Sequence, residues 1–188
     1  TDGDGDVVTD SVAIGGLISF EDDGPIISDM VAGTGVIVDE TTNLGSPITA
    51  GGAVFTGGVV TAGADGATAD VALRIDNADT GFTTTVGGYA ITLVAADGNN
   101  NVVYGKYTDT ADSNTVKTAF TVTISEEGVL TVNQAIALDH PTSPSSYDEA
   151  ITLADKLSAV KTVTDGDGDV VTDSVAIGGL ISFEDDGP

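Results

Sequence analysis

The chain has 188 residues, 40% of them hydrophobic and 5% aromatic, and its 30 acidic residues against 5 basic ones give a formal net charge of −25. This charge excludes nucleic acid and anionic membrane as partners, because both bind basic surfaces. The absence of cysteine excludes a disulfide framework and thiol chemistry, and no apolar run reaches the roughly 18 residues that a membrane helix needs.

The composition favours an all-β fold. Val, Thr and Gly are abundant and Lys is scarce, which favours strands and turns over helices. Because aromatic residues are few, the core must consist mainly of Val, Ile, Leu and Ala. A chain of this length buries roughly 70% of its unfolded surface on folding, which is enough for one substantial core.

The most informative stretch is Thr1–Pro25, because it recurs unchanged at Thr164–Pro188, 163 residues later. Chance does not produce 25 identical residues, so the recurrence indicates one period of a tandem array. We interpret residues 1–25 as the duplicated end of a preceding repeat, comprising its last strand and linker. Residues 26–188 are then one domain that ends in the linker to the next repeat.

Each copy contains a predicted long strand, Val7–Phe20 in the first and Val170–Phe183 in the second, with a bulge or bend at its Gly-Gly pair. The sequence EDDGP ends each strand, because Pro cannot continue a ladder. The first strand lacks the rest of its own domain. It either pairs with an exposed edge, extends from the domain or exchanges with a strand of a neighbour.

The middle of the chain predicts antiparallel hairpins. Short strands are expected on either side of Gly33–Gly35. Residues 41–58 are expected to be a long loop or weak edge strands, and residues 76–88 are expected to be loop. Two strand–turn–strand patterns follow. They are Tyr89–Val94 with Val102–Tyr107, and Ala119–Ile124 with Val129–Val132.

The segment Asp148–Val160 has features of both helix and strand, and the alternation of Ile151 and Leu153 favours strand. Lys161–Thr164 and Val170–Thr172 then form a hairpin with DGDGD at its tip. Together these segments give about nine strands and almost no helix, which is typical of an all-β sandwich.

The acids of the second copy indicate a cation site. They are Asp165, Asp167 and Asp169 in DGDGD, and Glu184, Asp185 and Asp186 in EDDGP. Alternating Gly lets carboxylates and carbonyls converge on one centre, which suits Ca²⁺, and adjacent carboxylates repel one another unless they are solvated or bound to a cation. The alternatives are an ordinary polar hairpin tip and an acidic surface that keeps a secreted or halophilic protein soluble.

Topology predicts which acids meet. A final strand over Val170–Phe183 would span about 46 Å, so DGDGD and EDDGP should lie at opposite poles. DGDGD should then face the entering linker with Glu21, Asp22 and Asp23, whereas Asp39 and Glu40 should lie near Glu184–Asp186. We therefore predict Ca²⁺ at both poles, held by acids from two modules and a linker.

No catalytic constellation is evident, and the sequence indicates a protein that is not an enzyme. The only histidine, His140 in LDHP, is interpreted as a loop or packing residue. The sequence has no GxSxG motif, and its Gly-rich stretches lack a Walker lysine.

The motifs together resemble the repeat unit of giant type I-secreted bacterial adhesins, often called RTX adhesins. The resemblance is carried in order by VIVDET (Val36–Thr41), AGADG (Ala62–Gly66), VVYGKY (Val102–Tyr107), GVLTVNQAIALDHP (Gly128–Pro141) and the terminal DGDGD–VVTDSVAI–GG–LISF–EDDGP. It covers essentially the whole period. The C-terminal nonapeptide repeats of such proteins are absent from this sequence.

The resemblance implies a non-enzymatic extender module with an Ig-like or cadherin-like antiparallel β-sandwich and Greek-key-type connections. Such modules are secreted unfolded and become rigid on meeting extracellular Ca²⁺. In tandem they project an adhesive tip from the bacterial cell surface during attachment and biofilm formation. The resemblance also implies that the matching acids of DGDGD and the two EDD sets bind Ca²⁺, with neighbouring identical repeats as partners. The alternative is a module that itself binds a glycan or protein, for which Tyr104, Tyr107 and Tyr147 are candidate contacts.

Overall fold

Strands dominate the computed structural model, which describes residues 3–141 and 149–185, and helix is limited to single turns. One α-helical turn, α1, covers Glu40–Asn43, and 3₁₀ turns cover Gly15–Leu17 and Gly178–Leu180. No helix in the described ranges has the length and apolar character needed to cross a membrane.

The strands of the described residues are β1 (Ile26–Ile27), β2 (Met30–Ala32), β3 (Val36–Asp39), β4 (Ile48–Ala53), β5 (Phe55–Gly57), β6 (Val60–Thr61), β7 (Ala67–Ile75), β8 (Asp79–Thr83), β9 (Ala90–Ala96), β10 (Asn99–Asp109), β11 (Thr115–Ile124), β12 (Val129–Gln134), β13 (Ala150–Thr152), β14 (Leu157–Asp165), β15 (Val170–Ala176) and β16 (Ile181–Glu184).

These strands form a sandwich. One layer is a six-stranded antiparallel sheet in the order β4-β12-β11-β10-β9-β8. Facing it are two three-stranded sheets, β15-β14-β7 and β13-β16-β3, with β7 against β9, β10 and β11 and β3 against β4 and β12. The two-stranded ladders β1-β6 and β2-β5 complete the pairing. All ladders are antiparallel except β3 with β16.

The all-β sandwich, both central hairpins and the β14-β15 hairpin with DGDGD at its tip are thereby confirmed. The preference for strand over helix in 148–160 is confirmed, but the segment forms two strands, β13 and β14, in different sheets with a turn between them. Asp148 lies outside the described residues. For residues 41–58 the weak-edge-strand alternative is confirmed, because β4 forms the edge of the six-stranded sheet and β5 pairs with β2. The expectation of loop was wrong for part of 76–88. That part contains β8, which pairs with the following strand β9. Pairing with neighbouring strands compensates for the weak local signals of these segments.

The predicted continuous strand Val170–Phe183 was also wrong. It divides into β15, which pairs with β14, and β16, which lies between β13 and β3 in a different sheet. The 3₁₀ turn at Gly178 joins the two strands. A Cβ atom at Gly178 would lie 1.8 Å from the Leu153 carbonyl oxygen, so only glycine allows this close approach. The Gly-Gly bend predicted from the sequence is thus the point where the chain changes sheet.

The first copy of the same sequence behaves differently. Residues 3–25 contain no strand, so the strand predicted over Val7–Phe20 was wrong. They do contain the 3₁₀ turn, preceded by nearly the same backbone angles as in the second copy: φ −109° and ψ −5° at Ile14, φ −121° and ψ −10° at Ile177. The turn is therefore encoded locally, whereas the strands form only where β14, β13 and β3 supply partners.

Phe183 shows how much the second copy contributes to the core. It is fully buried, with its ring centroid 5.0 Å from that of Phe120 and 6.0 Å, edge-on, from that of Phe82. Its counterpart in the first copy, Phe20, is 95% exposed. The same residue in the same local sequence is thus a core residue in one copy and solvated in the other.

This difference gives a matched test. We expect Phe183→Ala to lower the free energy of unfolding by about 3–5 kcal/mol, because it removes a buried ring and leaves a cavity. Phe20→Ala should change it by less than about 0.5 kcal/mol. Urea denaturation of both variants measures the two values. Equal losses would contradict the assignment of Phe183 to the core and Phe20 to solvent.

Candidate metal centres

The DGDGD loop between β14 and β15 is organised by Asp165. This carboxyl is only 7% exposed, and its Oδ1 accepts backbone hydrogen bonds from Gly168 N at 3.0 Å and Asp169 N at 2.7 Å. Gly168 has a φ of +102°, a conformation that favours glycine. The loop therefore holds Asp165 inside the turn and leaves Asp167 and Asp169 exposed.

Two further segments converge on this loop. A Cβ atom at Gly166 would lie 2.7 Å from Asp65 Oδ2, and one at Gly63 would lie 2.0 Å from the Asp23 carbonyl oxygen. The turn 62–66 therefore lies against both the DGDGD loop and the linker 21–25. The approach is so close that a side chain larger than glycine would clash at Gly166 and at Gly63. Together the three segments line an acidic groove, whose acids are Glu21, Asp22, Asp23, Asp65 and Asp167.

The carboxylates in this region form two groups that share Asp167. One contains Asp22, Asp167 and Asp169, the other Asp65, Asp165 and Asp167, and in each group one oxygen per residue lies within 4.8 Å of the others. Ca²⁺ binds oxygens at about 2.3–2.6 Å, so two ligands of one ion lie up to about 5 Å apart. The spacing in both groups is therefore compatible with Ca²⁺, and each group supplies part of the six to eight oxygens that this ion takes.

The proximity of these carboxyls to one another raises the pKa of two of them, Asp167 and Asp169. The hydrogen bond with Asp165, followed by burial and the charges of Asp165, Asp22 and Asp169, raises the pKa of Asp167 to about 6. The charge of Asp22, followed by that of Asp165, raises the pKa of Asp169. Bringing these acids together therefore costs free energy at neutral pH, and a bound cation would offset that cost.

The acids predicted for the other end of the domain are Asp39, Glu40 and Glu184–Asp186, and those that the structure describes differ in their surroundings. Asp39 caps α1, accepting hydrogen bonds from Thr41 N at 2.8 Å and Thr42 Oγ1 at 3.0 Å, and these lower its pKa against the opposing effect of burial, which is the largest single contribution. Glu184 lies opposite Asp39 in the β3-β16 ladder. Asp186 lies outside the described residues.

A third group of potential ligands lies near α1. Glu40, only 5% exposed, accepts hydrogen bonds from Leu138 N at 2.8 Å and from Gln134 Nε2. His140 and Asp185 each place a ligand atom within 4.8 Å of it and of each other. Burial is the main cause that raises the pKa of Glu40. The predicted proximity of Glu40 to the second EDDGP thus occurs, but with a histidine in the same group.

Asp65 and His140 were not predicted from the sequence as members of these groups. Asp65 lies in AGADG, which predicts a turn equally well without any ligand role. His140 follows strands that are distant in sequence from Glu40, so no local spacing joins the two. The available signals in the sequence were an acid at the tip of a turn and the only histidine of the chain.

Tyr104 and Tyr107, two of the three tyrosines considered for ligand binding, are only partly exposed. Tyr107 stacks on Tyr89 with ring centroids 6.0 Å apart, beside a mainly apolar groove that also involves Val86. Lys106 Nζ lies 4.9 Å from the ring centroid of Tyr104. Tyr147 lies outside the described residues.

A comparison with protein-family models matches residues 35–178 to the family described as Domain of unknown function (DUF5801). The chain belongs to this family. No curated protein and no solved structure gave a significant match. The DUF5801 match spans β3 to the turn at Gly178, so it includes the DGDGD loop, Glu40 and His140 and leaves out both EDDGP linkers.

Asp167 provides a test of the acidic groove. Because its folded pKa of about 6 exceeds the ordinary value of 3.8, the folded state holds its proton more tightly than the unfolded state does. Without divalent cations, this contribution to stability is present below about pH 4 and is lost as the pH rises through 6. Asp167→Asn should therefore raise the melting temperature relative to wild type, by an amount that grows between pH 4 and 6.

The control is Asp4→Asn, which makes the same substitution at the equivalent position of the first copy. Asp4 belongs to none of the ligand groups found among the described residues, and the net charge changes equally in both variants. Melting curves in EGTA at several pH values compare the two. If Asp167→Asn changes the melting temperature by the same amount at every pH, that result would contradict the raised pKa of Asp167.

Proposed function

We propose that the DUF5801 domain of this chain is a non-enzymatic extender module of a repetitive bacterial surface adhesin. Ca²⁺ at the joints between modules would stiffen the array for attachment and biofilm formation outside the cell. The proposal is supported by the 25-residue duplication, which is expected of tandem repeats, and by the order of motifs that resembles RTX adhesin repeats.

The observation that carries the proposal is the position of the first EDDGP linker. Asp22 from that linker lies with Asp167 and Asp169 of the domain body in one carboxylate group. Under the tandem interpretation, Asp22 belongs to the joint with the preceding module. A Ca²⁺ ion in this group would therefore bind ligands from the linker and from the following module, and would restrict their relative motion.

Calcium binding should depend on Asp167. We expect Ca²⁺ at one hundred times its Kd to stabilise the chain by about 2.7 kcal/mol, which for a domain of this size raises the melting temperature by about 5–10 °C. Asp167→Asn should weaken Ca²⁺ binding about tenfold or more, because it removes a ligand common to both groups. Calorimetric titration of this variant and of the Asp4→Asn control measures the affinities.

The joint itself is tested by small-angle scattering on a chain of several tandem periods. Ca²⁺ should increase the maximum dimension and straighten the particle, and EGTA should reverse both changes. Melting and scattering profiles that are identical in Ca²⁺ and EGTA would contradict the proposal, and the acids would then serve solubility.

The second candidate function is a module that itself binds a glycan or protein. It is supported by the stacked Tyr89 and Tyr107 beside the apolar groove, because aromatic faces favour sugar rings and apolar side chains. A glycan array probed with wild type and with Val86→Asp tests it. Val86 is 85% exposed, so its substitution should preserve the fold. Binding that Val86→Asp abolishes would favour this function, and no binding by wild type would count against glycans as ligands.

A further inference from the structure

The starting observation is a buried histidine whose polar atoms are unpaired. His140 is 4% exposed, and neither Nδ1 nor Nε2 has a hydrogen-bond partner among the described residues. A buried nitrogen without a partner costs the full desolvation free energy of that group. Gln134 Oε1, on the side chain that binds Glu40, is also buried without a partner in this part of the structure. One ring nitrogen of His140 lies within 4.8 Å of a carboxylate oxygen of Glu40 and of Asp185.

The backbone holds the imidazole close to those carboxylates. Asp139 N donates to the Thr83 carbonyl at 2.9 Å, and Thr85 Oγ1 donates to the Leu138 carbonyl at 2.7 Å, which fixes the chain just before His140. His140 Nε2 lies 3.7 Å from Glu40 Oε1. This distance is too long for a hydrogen bond, but it is close to the separation of two ligands on one metal ion.

We propose that Glu40, His140 and Asp185 form a binding site for a first-row divalent transition ion of the Zn²⁺ type. Imidazole and carboxylate together are ligands that Zn²⁺ accepts, whereas Ca²⁺ prefers oxygen ligands alone. The ligands of tetrahedral Zn²⁺ lie about 3.4 Å apart. The three ligand atoms lie within 4.8 Å of one another, so side-chain shifts of about 1 Å complete the site, with water as the fourth ligand.

The site joins three parts of the fold that are distant in sequence. Glu40 follows β3, His140 follows β12, and Asp185 follows β16 in the second EDDGP. A bound ion would anchor the start of that linker to the domain body. The site shares no residue with the acidic groove, and the inference does not rest on the proposed function.

His140 is the only histidine of the chain, so its imidazole gives an assignment-free signal in NMR spectra. We expect ZnCl₂ added to the chelator-treated full chain to shift the imidazole ¹⁵N resonances with a stoichiometry of one ion per chain. CoCl₂ should give the visible absorption of a four-coordinate Co²⁺ site. Excess Ca²⁺ should leave both signals unchanged, which separates this site from the acidic groove.

Two substitutions test the ligands. His140→Gln and Asp185→Asn should each weaken Zn²⁺ binding about 100-fold or more in calorimetric titration, whereas Asp139→Asn, which removes the neighbouring exposed acid, should not. If the imidazole resonances of wild type do not shift when Zn²⁺ is added, the proposal is overturned without reference to any variant. Unchanged Zn²⁺ affinity in a folded His140→Gln protein would also overturn it and would place the ion elsewhere.

Discussion

The sandwich closes only when β16 lies between β13 and β3. Ile181 and Phe183 point from it into the core, where Phe183 contacts the rings of Phe120 and Phe82. The parallel ladder with β3 sets Glu184 opposite Asp39, and the turn at Gly178 transfers the chain to β15 and the DGDGD loop. The short strand β16 thus completes the core and positions Asp185, which follows it, beside Glu40 and His140. Loss of β16 pairing would disorder that group along with the core.

The sequence predicted much of this arrangement, and its failures have a common cause. Hairpins such as β11-β12 were evident because their partners are close in sequence. The division of Val170–Phe183 between two sheets follows from its partners, because β15 pairs with β14 whereas β16 pairs with β13 and β3. Alternation along one strand carries no information about those partners. The two copies make the point directly. Both form the turn after their isoleucine, but only the copy with neighbouring strands pairs.

The candidate sites were predictable to a similar degree. Repeated Asp and Gly indicated where acids gather, and chain direction indicated that Asp22 would approach DGDGD. Asp65 and His140 were missed because their neighbours come from distant strands. The large negative charge is also poorly balanced within the described structure. Within the described residues, Arg74 pairs with Asp76, and Lys117 pairs with Asp109 and Asp112. None of these pairs involves an acid of the acidic groove, so cations from solution would reduce the repulsion there.

Each of the two proposed metal sites includes an acid from one copy of the duplicated EDDGP linker. Asp22 and Asp185 are equivalent residues of the repeat, yet Asp22 lies with the DGDGD acids and Asp185 lies with Glu40 and His140. If the domain repeats in tandem, every EDDGP has both groups within reach, one in the module before it and one in the module after it. One carboxylate cannot occupy both sites at once. The ion bound more tightly at a joint would therefore determine which module holds the linker, and so the angle between successive domains.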